Sequence, residues 1–266
     1  SFDYKNKYAI IEYLKDISAS GQFLCLFLSH NFDFYRSISG RLGLRRDCKL
    51  HAAKTGRKLK LIQEKYQKNP FGHWKDNLTT PAFFISAIPF VRNLAEYCGL
   101  DAEFLKLTSL LHVKGDTDTM TLDGLCTIYK KILADKQQLT LNPQTKLVID
   151  LINEEAESIF NAQEEAVELE GKIVLSIAIR LLAERHMIRT INNAALVGAI
   201  TENQTIKLLQ EYKRLNLGRV EDVLVLEQVN LMTPENIHLN SFMYEPILDL
   251  GIAHLKALYA DVKQLP

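Results

Sequence analysis

An imidazole and a carboxylate near the start of the chain, His30 and Asp3, are the first side chains able to do chemistry. His30 directly follows an apolar run at 22–29, which is typical of a parallel strand buried on both faces. At the carboxyl end of such a strand, an imidazole can hydrogen-bond a phosphate group and an attacking water. Asp3 is expected at the same edge of the sheet. The alternatives are that His30 caps the following helix and that Asp3 caps the helix beginning near Asn6.

A second candidate set lies in a long helical pattern of the later chain. Arg180 and Glu184 share one face of a helix, whereas His186 lies about 120° away from Arg180. Cleavage of RNA without a metal needs a cation to hold the phosphate and a base for the 2′-hydroxyl. Arg180, Glu184 and, from a later loop, His238 are candidates for that reaction. Because residues 173–183 are largely apolar, a buried structural salt bridge between Arg180 and Glu184 is the alternative.

A basic cluster follows the apolar run. Residues 36–68 contain eleven Lys and Arg side chains and two acidic ones, although the whole chain is neutral. Such a cluster indicates contact with phosphates of a nucleotide or nucleic acid, or with an acidic part of the same molecule. A solvated hairpin face is the alternative. The candidate phosphate-binding residues are Arg41, Arg45, Arg46, Lys54, Arg57 and Lys58.

Composition sets the class of protein. The chain has 266 residues, of which 47% are hydrophobic and 24% charged, so it can bury a substantial core. No run approaches the roughly 20 apolar residues of a transmembrane helix, and no signal-peptide pattern opens the chain. The four cysteines form no Cys-x-x-Cys pair, which disfavours a zinc site or a disulfide framework. We therefore expect a protein of the reducing cytoplasm that makes no membrane contact.

The sequence divides into three parts. Helix and strand patterns alternate over 1–68, a linker containing Asn69-Pro70 and Gly72 covers 69–80, and 81–266 is helical. The predicted fold class is mainly α with an α/β N-terminal portion.

Local patterns place the individual elements. Alternating stretches on either side of Thr55-Gly56 predict a β-hairpin. The predicted helices and hairpin strands of the first part are 6–17, 32–42, 47–54 and 58–65. The predicted helices of the helical part are 81–98, 102–112, 122–134, 145–161, 168–191, 204–215 and 245–262.

The apolar run at 22–29 lacks partners. A parallel strand needs neighbouring strands, and the sequence after it offers only a hairpin. The chain also begins with Ser1, in what reads as a loop leading into a helix. We therefore expect this chain to be the C-terminal part of a longer protein whose N-terminal half supplies the other strands.

Two short motifs resemble landmarks of the ABC-type ATPases. Ser-Phe-Asp-Tyr-Lys-Asn-Lys at 1–7 resembles the D-loop of that family, and Leu-Phe-Leu-Ser-His-Asn-Phe-Asp-Phe at 26–34 resembles its switch-histidine loop. One predicted helix separates the two motifs, as in the family. The His-Asn-Phe-x-Phe pattern at 30–34 is most similar to that of the RecF-like and anticodon-nuclease-associated members, many of which act in bacterial phage defence.

The resemblance implies an ATPase that gates an effector in antiviral defence. His30 would be the switch histidine, and Asp3 would act across the interface of a homodimer formed by the head domains. ATP and Mg²⁺ would be sandwiched between these heads, whose remaining residues belong to the N-terminal half of the same ATPase. The helical part would then hold or sense an effector such as a nuclease or toxin.

Some motifs of the family are absent from this sequence. The Gly-x-x-x-x-Gly-Lys-[Ser/Thr] loop is missing, since Gly171-Lys172 is followed by Ile173, and neither the signature motif nor the Walker B acidic pair occurs. The chain alone is therefore expected to be inactive as an ATPase.

Two alternative functions remain open. Arg180 and Glu184 resemble part of the anticodon-nuclease pattern, and the spacing from Arg180 to His186 resembles that of HEPN ribonucleases, although Leu181 replaces the polar residue of that pattern. A ribonuclease is therefore one alternative, and a nucleic-acid-binding or docking module built on the basic cluster is the other. No metal site is expected. The histidines without partners at metal-ligand spacing, which are expected to be incidental, are His51, His73, His112 and His254.

Overall fold

A computed structural model describes residues 4–29, 32–55, 58–63, 70–162, 169–233 and 251–266. The described chain is mainly helical with a small two-stranded sheet, as the composition and periodicity predict. It forms two compact units, 1–70 and 71–266.

The first unit begins with two helices that pack together. They are α1 (Tyr4–Ala19) and α2 (Phe32–Arg41), and both agree with the predicted helices. Glu12 on α1 accepts two hydrogen bonds from the Arg41 guanidinium, one of them at 2.9 Å. Because this ion pair is partly exposed, it orients the helices more than it stabilises them. Ile11 and Ile38 are buried.

The segment between these helices corrects the sequence prediction. Residues 22–29 form neither a strand nor a helix, and Leu24, Leu26 and Leu28 are all more than 80% exposed. The segment is therefore not a strand in this chain, and the neighbouring strands of the predicted parallel sheet were expected to lie outside it. A strand is stable only when hydrogen-bonded to neighbours, and the two strands found among the described residues pair with each other.

The predicted hairpin is confirmed. Strands β1 (Leu50–Thr55) and β2 (Lys58–Gln63) pair in antiparallel register, from Leu50 opposite Gln63 to Thr55 opposite Lys58. A short 3₁₀ helix, Arg46–Cys48, precedes β1. Every residue of β2 is exposed, so neither face of that strand contributes to a core.

Part of the predicted linker is a helix. Helix α3 (Pro70–Asp76) begins with a proline, which suits a first helical turn because that position needs no N–H donor. Trp74 is only 1% exposed. Lys75 forms an ion pair of 3.0 Å with Asp135. Residues 71–76 of α3 belong to the second unit, so part of the segment predicted as a linker at 69–80 is helical.

The second unit is a bundle around one long apolar helix, α8. Its sequence is apolar on nearly all sides, which is typical of a helix surrounded by others. It packs against α4, α7, α10, α11 and α12. The bounds of the helices that follow α3 are α4 Pro81–Tyr97, α5 Asp101–Thr108, α6 Leu122–Ile132, α7 Val148–Asn161, α8 Leu169–Ile191, α9 Ala194–Gly198, α10 Gln204–Arg214, α11 Val220–Met232 and α12 Ile252–Lys263.

The predicted helices of this unit are confirmed wherever the structure describes them, but two helices were not predicted. Helix α9 is short. Helix α11 has apolar side chains on its exposed side as well as its buried side, including Val220, Leu224 and Leu231 outside and Leu226 and Val229 inside. It therefore lacks the one-sided pattern from which a surface helix is recognised.

No helix of the described residues is long and apolar enough to cross a membrane.

Candidate functional site

Three of the predicted catalytic residues lie outside the described residues. They are His30 and Asp3 of the ATPase prediction and His238 of the ribonuclease prediction. The positions of these three side chains are therefore not described.

Two arginines of the predicted basic cluster form ion pairs within the first unit. Arg41 is held by Glu12, and the Arg45 guanidinium donates to both carboxylate oxygens of Asp47 at 2.7 and 3.2 Å. Lys58, on the hairpin, is exposed. The other candidates are Arg46, which is exposed before β1, Lys54, whose side chain is outside the description, and Arg57, which is outside it entirely.

Arg180 and Glu184 are both completely buried on α8. Arg180 donates a hydrogen bond from Nη2 to the carbonyl of Thr233, at the end of α11, at 2.6 Å. The guanidinium thus fixes the end of one helix to the middle of another. A fully buried position gives substrate no access, so this placement lends no support to a ribonuclease site at Arg180.

The Glu184 carboxylate is surrounded by four hydrogen-bond donors. It accepts bonds from His112 Nδ1 at 2.7 Å, the Val113 amide at 2.8 Å, Gln204 Nε2 at 2.7 Å and the Thr205 hydroxyl at 2.7 Å. Burial opposes the charge and raises the pKa of this carboxyl, but the donors outweigh burial and hold the pKa below its usual value. Glu184 is therefore an ionised group solvated by protein.

These partners correct the salt bridge predicted between Arg180 and Glu184. The four bonds of Glu184 come from the loop after α5 and from the start of α10, whereas the hydrogen bond described for Arg180 runs to the end of α11. A spacing of four residues places both side chains on one helix face without requiring that they pair.

His112 is the functional candidate that the sequence analysis missed. It was expected to be incidental, yet its ring lies 2.7 Å from a buried carboxylate. Because an ionised carboxylate only accepts, His112 Nδ1 carries the proton and Nε2 is left as the second site. The side chain is 13% exposed and lines a cleft, and no described residue bonds its Nε2. Glu184 thus fixes both the orientation and the tautomer of His112.

The cleft beside His112 has a volume of about 1230 Å³. Its walls come from the end of α4, from α5, from the loop after α5 and from the loop before α10. Two half-buried cations, Arg92 and Lys114, line it, whereas the carboxylates at its edge are exposed. Those exposed carboxylates are Glu96, Asp116 and Glu202.

Arg92 is built into one wall. Its Nε donates to the Thr108 hydroxyl at 2.8 Å and its Nη1 to Asn93 Oδ1 at 3.2 Å, while the guanidinium stacks over the Phe104 ring at 4.2 Å. Burial lowers the pKa of this guanidinium, which nonetheless stays charged. The wall therefore carries a fixed positive charge.

Lys114 lies where this cleft meets a second cavity of about 680 Å³. Its Nζ donates to the Ile200 carbonyl at 3.1 Å. Burial lowers the pKa of the amine, and the charge of Glu184 partly opposes that effect. No carboxylate of the described residues forms an ion pair with Lys114, so its charge is compensated only at a distance.

The loop that carries His112 and Lys114 is held in place by its own hydrogen bonds. The Thr117 hydroxyl donates to the Ser109 carbonyl at 2.6 Å and accepts from the Lys114 amide at 2.8 Å. Gln204 Nε2, which also bonds Glu184, donates to the Val113 carbonyl at 2.8 Å. The positions of the imidazole and the ammonium are thereby fixed before any ligand binds.

No cluster of three or more metal-ligating side chains occurs among the described residues. Comparisons with protein-family models, with curated proteins and with solved structures found no match.

Proposed function

We propose that this chain is the C-terminal part of an ABC-type ATPase, whose head uses ATP binding and hydrolysis to gate an effector held by the helical unit. The observation that carries the proposal is the exposed leucine segment at 22–29, which lies between two packed helices and directly before His30.

The exposures along this segment alternate as they do in a strand. Leu24, Leu26 and Leu28 are almost fully exposed, whereas Cys25 and Phe27 are half-buried. Covering a leucine stabilises a protein by about 1.5–3 kcal/mol. A contiguous exposed apolar stripe of this kind marks a surface that another part of a protein covers. The strands of an ATPase core sheet are the cover that we propose.

Covered in this way, the segment would end at the edge of the sheet where nucleotides bind. His30 would hydrogen-bond the terminal phosphate of ATP, and Asp3 would reach the partner head of a homodimer. The P-loop and the Mg²⁺ ligands would belong to the N-terminal half of the same ATPase. The resemblance to phage-defence ATPases makes a cytoplasmic effector, a nuclease or toxin, the proposed output.

The covering strands can be detected directly. We expect the intact polypeptide from its native source to have a mass well above 30.3 kDa. Amide hydrogens of 22–29 should exchange freely in the 266-residue chain and become protected in the intact polypeptide, because sheet pairing closes their hydrogen bonds. A native mass of 30.3 kDa, or unprotected amides in the intact polypeptide, would contradict the proposal.

The switch role of His30 is tested by substitution in the intact polypeptide. His30→Ala should lower the rate of ATP hydrolysis by about 10²-fold or more, as loss of a group that positions water does. His51→Ala is the matched control, because His51 is an exposed histidine of the same unit. Equal rates for the two variants would remove His30 from the reaction.

A further inference from the structure

We propose that the cleft beside His112 is a nucleotide-binding site of the helical unit, in which Lys114 and His112 bind the phosphate group. This inference does not rest on the ATPase proposal, because every residue that carries it lies in 71–266. The ligand class follows from three features of the cleft: a cation that forms no ion pair with any described residue, an imidazole whose second nitrogen no described residue bonds, and an exposed aromatic ring.

The first feature is the ammonium of Lys114. It is half-buried between two cavities, and its one described bond, to the Ile200 carbonyl, leaves two N–H donors. A lysine removed from water usually gains a carboxylate partner, since its charge is otherwise poorly solvated. Lys114 has no such partner among the described residues. An anion bound in the cleft would supply it.

The second feature is Nε2 of His112. Glu184 occupies Nδ1, so Nε2 is the open nitrogen of a ring that lines the cleft. In a protonated imidazole both ring nitrogens are donors, and Nε2–H can then donate to an anionic oxygen. His112 and Lys114 are two residues apart on the same braced loop. Together they offer donors of the kind that phosphate oxygens accept.

The charged side chains that line the cleft differ in their burial. The buried carboxylate of Glu184 lies behind His112, does not line the cleft and is bound by its four donors. The cations Arg92 and Lys114 and the imidazole of His112 are half-buried in the walls, whereas the three rim carboxylates are exposed. Water and salt screen exposed charges far more strongly than buried ones. The interior is therefore favourable to an anion despite the acidic rim, which disfavours a long polyanion lying across the mouth.

The size and the aromatic lining of the cleft indicate more than a bare phosphate. A volume of about 1230 Å³ exceeds the roughly 300–1,000 Å³ of ordinary small-molecule sites, so the cleft has room for far more than a phosphate. Tyr97, the last residue of α4, lines the cleft with 90% of its side chain exposed. An exposed ring of this kind is a platform on which a base can stack. A nucleotide combines the phosphate and the flat ring that these residues fit.

The test uses the complete 266-residue chain and titration calorimetry with the four nucleoside 5′-monophosphates. At least one of them should bind with a dissociation constant of about 1 mM or tighter. Lys114→Met should weaken that binding about tenfold or more, because it removes the phosphate's cation. Lys106→Met is the matched control, since Lys106 is an exposed lysine on neighbouring α5 that does not line the cleft.

Further ligands separate the parts of the site. Inorganic phosphate should lose affinity with Lys114→Met, and the matching nucleoside should not. Tyr97→Ala should weaken the nucleotide and the nucleoside but not inorganic phosphate. A trinucleotide of RNA shows whether the phosphate comes from a free nucleotide or from a nucleic-acid chain, and its preferential binding assigns the chain.

Three results would overturn the inference. They are no binding of any monophosphate or of the trinucleotide at about 1 mM, equal affinities for Lys114→Met and Lys106→Met, and a change in the histidine ring NMR signals on adding nucleotide that spares His112. Thermal unfolding of each variant, followed by circular dichroism, verifies that the fold is intact before affinities are compared.

Discussion

At the scale of single residues, Glu184 shows how hydrogen-bond donors from the protein compensate the burial of a charged carboxylate. The carboxylate has exchanged water for four protein donors, two from the loop after α5 and two from the first turn of α10, and every one of these bonds is between 2.7 and 2.8 Å. Removing one partner from such an arrangement costs more than the bond itself, because the remaining groups stay desolvated. The same bonds that fix His112 in the cleft therefore stabilise the bundle.

The pKa of Glu184 predicts how stability depends on pH. It is lower in the folded chain than the usual 4.5, so the stabilisation is fully present above that pH and is lost as pH falls through the folded value. Glu184→Gln should lower the free energy of unfolding at pH 7 by roughly 1–3 kcal/mol and should make it less dependent on pH below about 5. Urea unfolding across a pH series measures both effects.

Glu221→Gln is the control for this comparison. Glu221 is an exposed carboxylate on α11, and its removal should leave the acid limb of the stability curve unchanged. The prediction would be contradicted if the free energies of unfolding of Glu184→Gln and of the wild type changed in parallel down to pH 3. The pKa of Glu184 would then have to be the same in the folded and the unfolded chain.

At the scale of elements, the segment at 22–29 shows that a local apolar pattern does not by itself produce a strand. Its apolar character is visible in the sequence, but strand pairing needs partners that lie elsewhere. Helices α1 and α2 satisfy their own backbone groups and form without such partners.

Leu26→Lys tests whether this segment is covered in the intact ATPase. In the 266-residue chain the free energy of unfolding should change by less than about 0.5 kcal/mol, as for surface sites generally. In the intact polypeptide, the buried ammonium should unfold the head or abolish ATP hydrolysis. Leu61→Lys, at an exposed leucine of the hairpin, is the matched control. Equal effects of the two substitutions on ATP hydrolysis would mean that Leu26 stays exposed.

Whether a structural feature of this chain can be predicted from the sequence depends on how far apart along the chain its interacting residues lie. The hairpin was predictable because its two strands flank one turn, and α4 and α8 because their apolar patterns are long. Helix α11 was missed because its apolar residues encircle it. The His112–Glu184 pair was missed because its members are 72 residues apart and His112 sits in no motif. Only packing of the loop after α5 against α8 brings them together.

At the scale of the whole molecule, the buried core is unevenly shared. Among the described residues, Ile11 and Ile38 are the only buried apolar side chains before residue 71, and all others belong to the second unit. The apolar area removed from water is the main source of folding free energy. The second unit therefore has the means to fold alone, and the first does not.

Expression of residues 71–266 by themselves tests this asymmetry. The piece should show the helical circular dichroism of the bundle and a cooperative thermal transition close to that of the full chain, because its core is intact. The reciprocal piece, 1–70, should show no cooperative transition. A piece 71–266 that unfolds gradually, without a baseline, would mean that the first unit contributes to the bundle's stability.

Trp74 is a built-in probe of the second unit. It is the only tryptophan of the chain, it is 1% exposed, and it belongs to that unit. Tryptophan fluorescence shifts to longer wavelength when water reaches the indole ring, so this fluorescence responds to unfolding around Trp74. Backbone dichroism responds to helices of both units. One denaturation recorded by both signals thus compares the surroundings of Trp74 with the helices of both units, with no added label.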